Sequence, residues 1–144
     1  MLNFNDIPSW WPLCYQSDCP QAAHCLRYSL CVNGANEASK WPCILPHARK
    51  NGKCDFFQED KTVRMARGFV GIYKQLKSRD ARHDIRMALT DYLGSKGAYY
   101  RYRDGERLLT PVQQQWILNL LARYHVTEGV RFDEYIDTYD LTQV

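Results

Sequence analysis

Six cysteines, Cys14, Cys19, Cys25, Cys31, Cys43 and Cys54, are separated by 4, 5, 5, 11 and 10 residues, and none follows Cys54. Thiolates ligate zinc and iron–sulfur clusters, and their crowding into the first third of the chain sets them apart from six unrelated buried thiols. No pair has the Cys-x-x-Cys spacing of a zinc knuckle, so the turns between them must fold before the sulfurs can meet. Four of the six would complete either one zinc ion or one 4Fe–4S cluster. The long gaps tilt toward the cluster, whose ligands lie farther apart, although the spacing matches no ferredoxin run. His24 and His47 are further donors, read as ordinary structural or surface histidines because thiols are plentiful.

The rest of the composition favours that metal chemistry over covalent staples. At 144 residues, 45% hydrophobic and 24% charged, the chain is long enough to bury a core without disulfides. No apolar run approaches the ~20 residues that span a bilayer, so no membrane partner is expected. "MLNFNDIPSWWPLC" has neither the basic start nor the apolar stretch of a secretory signal. The expected setting is therefore cytoplasmic, where grouped cysteines hold metal or do redox work.

Positioning the cysteines falls to a stretch with little periodicity. Residues 1–58 hold every proline but Pro111 and every tryptophan but Trp116. Beyond a helical turn or two over Gln21–Cys31, and a loop at "VNGANEAS", this segment needs an organiser other than regular structure. The expected domains are a Cys-rich lobe, 1–58, and a helical body, 59–144.

In the body, apolar spacing predicts helices over Thr62–Lys77 and Asp80–Leu93. "AYYRYRDGERLL" reads as a hairpin at about 98–109 turning at Asp104-Gly105. Thr110-Pro111-Val112-Gln113 opens a further helix with a capping box, running to about Tyr124. Phe132, Tyr135, Ile136 and Tyr139 space out a short last helix. Gly68 and Gly71 inside the first of these predict close approach of something to the backbone. The fold class expected is mainly α with one β-hairpin, a small α+β protein whose irregular metal-stabilised N-terminal lobe packs on the helical body.

Cys14, Cys19, "CLRY" from Cys25 and "CDFF" from Cys54 resemble the pattern of an uncharacterised bacterial family of small Cys-rich domains of unknown function. The resemblance implies no activity. It implies Cys14, Cys19, Cys25 and Cys54 as the metal set, with Cys31 and Cys43 in reserve, and Arg27 and Tyr28 as supporting or packing groups beside them.

The net charge of +3 is uneven: residues 61–107 carry 12 basic and 5 acidic side chains. Arg64, Arg67, Lys74, Arg82, Arg86, Arg101, Arg103 and Arg107, with Tyr102 for stacking, form a candidate surface for RNA or DNA. Such a surface predicts a nucleic-acid-binding or nucleoprotein-associated regulatory module held by its metal. The alternatives are an iron–sulfur redox or sensor protein and a protein–protein adaptor anchored by Trp10, Trp11 and Trp41. No Walker, Gly-x-Gly-x-x-Gly, His-Glu-x-x-His or Gly-x-Ser-x-Gly signature is present, and no catalytic residue is nominated.

Overall fold

The structure, a computed structural model, describes residues 4–33 and 38–142. The chain forms two compact units, one of residues 1–62 with 139–144, the other of residues 63–138. The sequence reading cut the chain once, after residue 58, without the return of its C-terminal residues. Among the described residues no helix is long and apolar enough to cross a membrane.

In the first unit the Pro20 region gives a 3-10 turn, Ala22–His24, and then α1, Leu26–Asn33. Cys25 separates them in extended conformation. Val32 and Asn33 of the expected loop belong to α1, and residues 34–37 of it lie outside the described residues. β1, Arg49–Lys50, pairs antiparallel with β2, Lys53–Cys54. Asn51 and Gly52, with φ of 53° and 76°, make the left-handed two-residue turn that Asn-Gly adopts most readily.

This lobe does have an apolar core of its own. Ile7, Trp11, Leu13, Leu26 and Cys31 are buried together, with Trp41, Tyr139 and Leu141 packed against them. Trp41 Nε1 donates to the Trp11 carbonyl at 2.8 Å, closing one side of the cluster. The want of periodicity arises because these residues come from turns and a short helix, not from one continuous face.

The second unit differs from expectation at three places. Over Thr62–Lys77 the chain forms β3, Val63–Arg67, then a 3-10 segment, Val70–Gln75. The expected hairpin is α2's neighbour α3: α2 spans Arg79–Leu93 and α3 Lys96–Arg103. The expected last helix is β4, Glu134–Thr138, antiparallel to β3 with Met65 opposite Ile136 and Arg67 opposite Glu134. α4, Pro111–Arg123, begins with both halves of the Thr110/Gln113 capping box, as its sequence predicts.

Two of these differences show a local feature. Ser95 Oγ accepts from the Ala98 amide at 3.0 Å and starts α3. Asp104-Gly105 then ends that helix, with Gly105 at φ +87° and the Glu106 amide bonded back to Arg101 O. The Asp-Gly pair thus serves as a C-terminal cap where a hairpin turn was expected. At the other end, the alternation of Val63 and Met65 with arginines fits a strand, and Gly68 at φ +80° stops any helix from running through.

The close approach expected at the two glycines comes from a carboxylate. Asp133 accepts from the Val70 amide at 2.8 Å and the Gly71 amide at 2.9 Å. A Cβ on Gly68 would stand 2.7 Å from Asp133 Oδ2 and 3.2 Å from Arg103 O. Gly68→Ala is therefore expected to lower stability by about 1–3 kcal/mol through left-handed strain plus that clash. Chemical denaturation checks this, and a loss near zero contradicts the geometry. Behind these elements Phe69, Ile72, Ile85, Leu89, Ile117 and Leu121 head the unit's core.

Candidate metal centre

Cys14, Cys19, Cys25 and Cys54 line one cavity in the first unit. Each reaches it by a different device. Cys14 follows the buried Trp11–Leu13 segment, with its amide on Arg27 O at 3.3 Å. Cys19 sits in successive turns, donating to Gln16 O and accepting from the Ala22 amide. Cys25 occupies the extended break before α1, bridged to Glu59. Cys54 closes the β1–β2 hairpin opposite Arg49, so the Asn51-Gly52 turn sets where its sulfur lies.

All four side chains are half-buried, and the cavity lining joins apolar Ala22, Ile44 and Phe56 to polar Gln16, Gln21, Arg27 and Arg49. The enclosed space leaves about 20 Å³ for the centre of a water molecule. Among the described residues no three His, Cys, Asp or Glu side chains converge closely enough to hold a single metal ion. Cys31 is buried in the apolar cluster, which pushes its thiol pKa up, and Cys43 is exposed. Neither lines the cavity. His24 and His47 are exposed and do not line it either.

Electrostatics couple the four thiols. Burial pushes the Cys14 pKa up, a backbone hydrogen bond with Gln16 pulls it down, and Cys25, Cys19 and Cys54 push it up again. Four thiolates therefore oppose one another unless a cation sits among them. The adjoining Arg27, only 2% exposed, supplies one positive charge. Its Nε donates to Phe56 O at 2.7 Å and its Nη1 to Pro12 O at 2.8 Å, while its guanidinium lies 4.2 Å from the Trp11 ring centroid. Burial lowers the Arg27 pKa, and Cys25, Cys54 and Cys14 raise it in turn.

Two more residues of the lining were not visible as site residues in the sequence. Gln16 Oε1 and Arg49 Nε are buried with no hydrogen-bond partner among the described residues. Gln16 Nε2 is fixed on Ile44 O and an Arg49 Nη2 on Asp18, so both side chains are held in place. The Asn-Gly turn at 51–52 was the available signal for the strand that carries Arg49 to Cys54.

The model of one protein family, a family of unknown function (DUF6078), matches residues 1–141. The chain belongs to that family. No curated protein and no solved structure matches it.

In this DUF6078 chain the candidate nucleic-acid residues fall into separate settings. Arg64 stacks on Tyr135, 4.3 Å from the ring centroid, and Arg67 pairs with Glu134 at 3.3 Å. Arg107 lies 5.9 Å from the Tyr102 ring centroid, and Lys74 and Arg101 are exposed. Arg82, Arg86 and Arg103 line a pocket together. The stacking platform built on a hairpin is absent, because Tyr100, Tyr102, Arg101 and Arg103 occupy α3 or its end. Of the possible tryptophan anchors, Trp10 is 52% exposed and Trp11 is fully buried.

Proposed function

We propose that Cys14, Cys19, Cys25 and Cys54 hold one 4Fe–4S cluster and that the protein is a redox or sensor protein whose working group is that cluster. The observation that carries the reading is the assembly of these four thiols around one cavity together with Arg27 and the unpartnered Arg49 Nε. Zinc draws four thiolates to about 2.3 Å from one centre, whereas a cubane interposes its own iron and sulfide and tolerates wider placement. The flanking groups suit such an occupant. A thiolate-ligated cluster is anionic, Arg27 offers positive charge beside it, and the unpartnered Arg49 N–H offers a donor of the kind that tunes cluster potentials. One-electron chemistry belongs to the cluster; the chain's part is to ligate it, shield it and offset its charge.

Anaerobic purification followed by iron, sulfide and zinc analysis and a visible spectrum tests this. Brown protein with iron and sulfide in equal amounts, bleached by dithionite, is the expected result. Colourless protein with stoichiometric zinc replaces the cluster reading by a structural zinc site, and protein free of both overturns it.

A further inference from the structure

A second set of chemistry-bearing residues lies in the other unit. The first turns of α2 place Arg79, Arg82, His83 and Arg86 at i, i+3, i+4 and i+7, which is one face of a helix. That face, with Tyr73, Tyr99 and Arg103, lines an open pocket of about 380 Å³ that no carboxylate lines.

The side chains there are held, and of the four arginines Arg103 alone is paired with a carboxylate among the described residues. Arg82 Nε donates to Leu76 O at 2.6 Å, which anchors the guanidinium while its Nη groups remain. Arg103 engages Asp104 through Nε at 2.8 Å and lies 4.6 Å from the Tyr100 ring centroid. Among the described residues Arg79, Arg82 and Arg86 form no ion pair. Tyr73 and Tyr99 hydrogen-bond through their hydroxyls, and one O–H of the pair is left to donate elsewhere. Burial pushes both tyrosines' pKa values up, so both hydroxyls stay protonated.

Arg103 is paired with Asp104, and the three remaining guanidiniums repel one another in a pocket that no carboxylate lines. An anion with several charges removes the repulsion. Guanidinium forks match paired phosphate oxygens, and three unpaired cations beside Arg103 exceed what a single carboxylate balances. A long nucleic-acid strand needs a track of free cations, whereas Arg64, Arg67 and Arg107 of the same basic stretch lie in other settings. We infer that this pocket binds a small molecule bearing a diphosphate group, free or as part of a nucleotide, through Arg79, Arg82, Arg86 and Arg103. Its lining shares no residue with the cysteine cavity, so failure of one reading leaves the other intact.

Titration calorimetry of the full chain with pyrophosphate, with ADP and with a single-stranded oligonucleotide tests the inference. Tighter binding of pyrophosphate than of ADP identifies the free diphosphate as ligand, and the reverse order identifies a nucleotide. Arg86→Gln and Arg79→Gln should each weaken the better ligand about 10-fold or more, the loss of one charge-assisted hydrogen bond. Both positions are exposed, and an unchanged melting curve shows that the variants fold. Arg123→Gln on α4 should change binding less than about 2-fold. The inference is overturned if neither small ligand binds, if Arg86→Gln and Arg79→Gln bind as wild type does, or if the oligonucleotide binds tighter than both.

Discussion

Cys25→Ser, and separately Cys54→Ser, should yield colourless protein with iron and sulfide near background, and should strip amide protection from the first unit while α2, α3 and α4 keep theirs. Metal sites in small domains contribute as much as ~10 kcal/mol to folding, more than any single packing contact in a lobe of this size. The second unit has its own core and its own caps at Ser78, Ser95 and Thr110, so it has no need of the centre. Cys43→Ser is the internal control: its side chain is exposed and does not line the cavity, so iron content should not change. Residue-resolved hydrogen exchange reads both units in one experiment. Uniform loss of protection along the chain contradicts the division, and full iron loading of Cys25→Ser and Cys54→Ser removes them from the ligand set.

Trp11→Ala should destabilise the first unit by about 3–5 kcal/mol, the range for deleting a large buried aromatic. Trp11 has no exposed surface, anchors the apolar cluster and supplies the ring against which Arg27 lies. Removing it opens a void and takes away the nearer of the two rings beside the guanidinium, the other being Phe56 at 5.9 Å. Denaturant unfolding followed by near-ultraviolet circular dichroism measures the loss, and a change below about 1 kcal/mol would show that the pocket collapses without penalty. Trp11→Phe keeps a ring under Arg27 and should retain most of the stability.

Those two residues show where reading the chain in one dimension falls short. Helices α2 and α4 were legible because their signals are local: an apolar stripe ended by Gly94, and Thr110 with Pro111 and Gln113. β3 and β4 were not. Val63 and Met65, like Tyr135, sit at positions that serve a stripe or an alternation equally, and only pairing between distant parts of the sequence, Ala66 with Tyr135 and with Leu109, decides between them. Asp133, which caps the 3-10 segment from far along the chain, leaves no local trace. At the cysteine cavity, the resemblance to a family nominated the four thiols that line it, and it placed Arg27 beside them. Gln16 and Arg49 escaped notice because a buried orphan atom is a property of packing, which composition and spacing do not encode.

The first unit is discontinuous in sequence, and that bears on how the protein is made. Tyr139 and Leu141 pack on the Trp11 cluster, and Gln58 Nε2 donates to Asp140 O. These residues are made after residues 63–138. The amino-terminal segment therefore waits for residues 139–141 before its apolar cluster can close, while residues 63–138 are complete before then. Until then Cys14, Cys19, Cys25 and Cys54 belong to an unfinished lobe, so under the proposed function their centre would be open to loading before the apolar cluster closes.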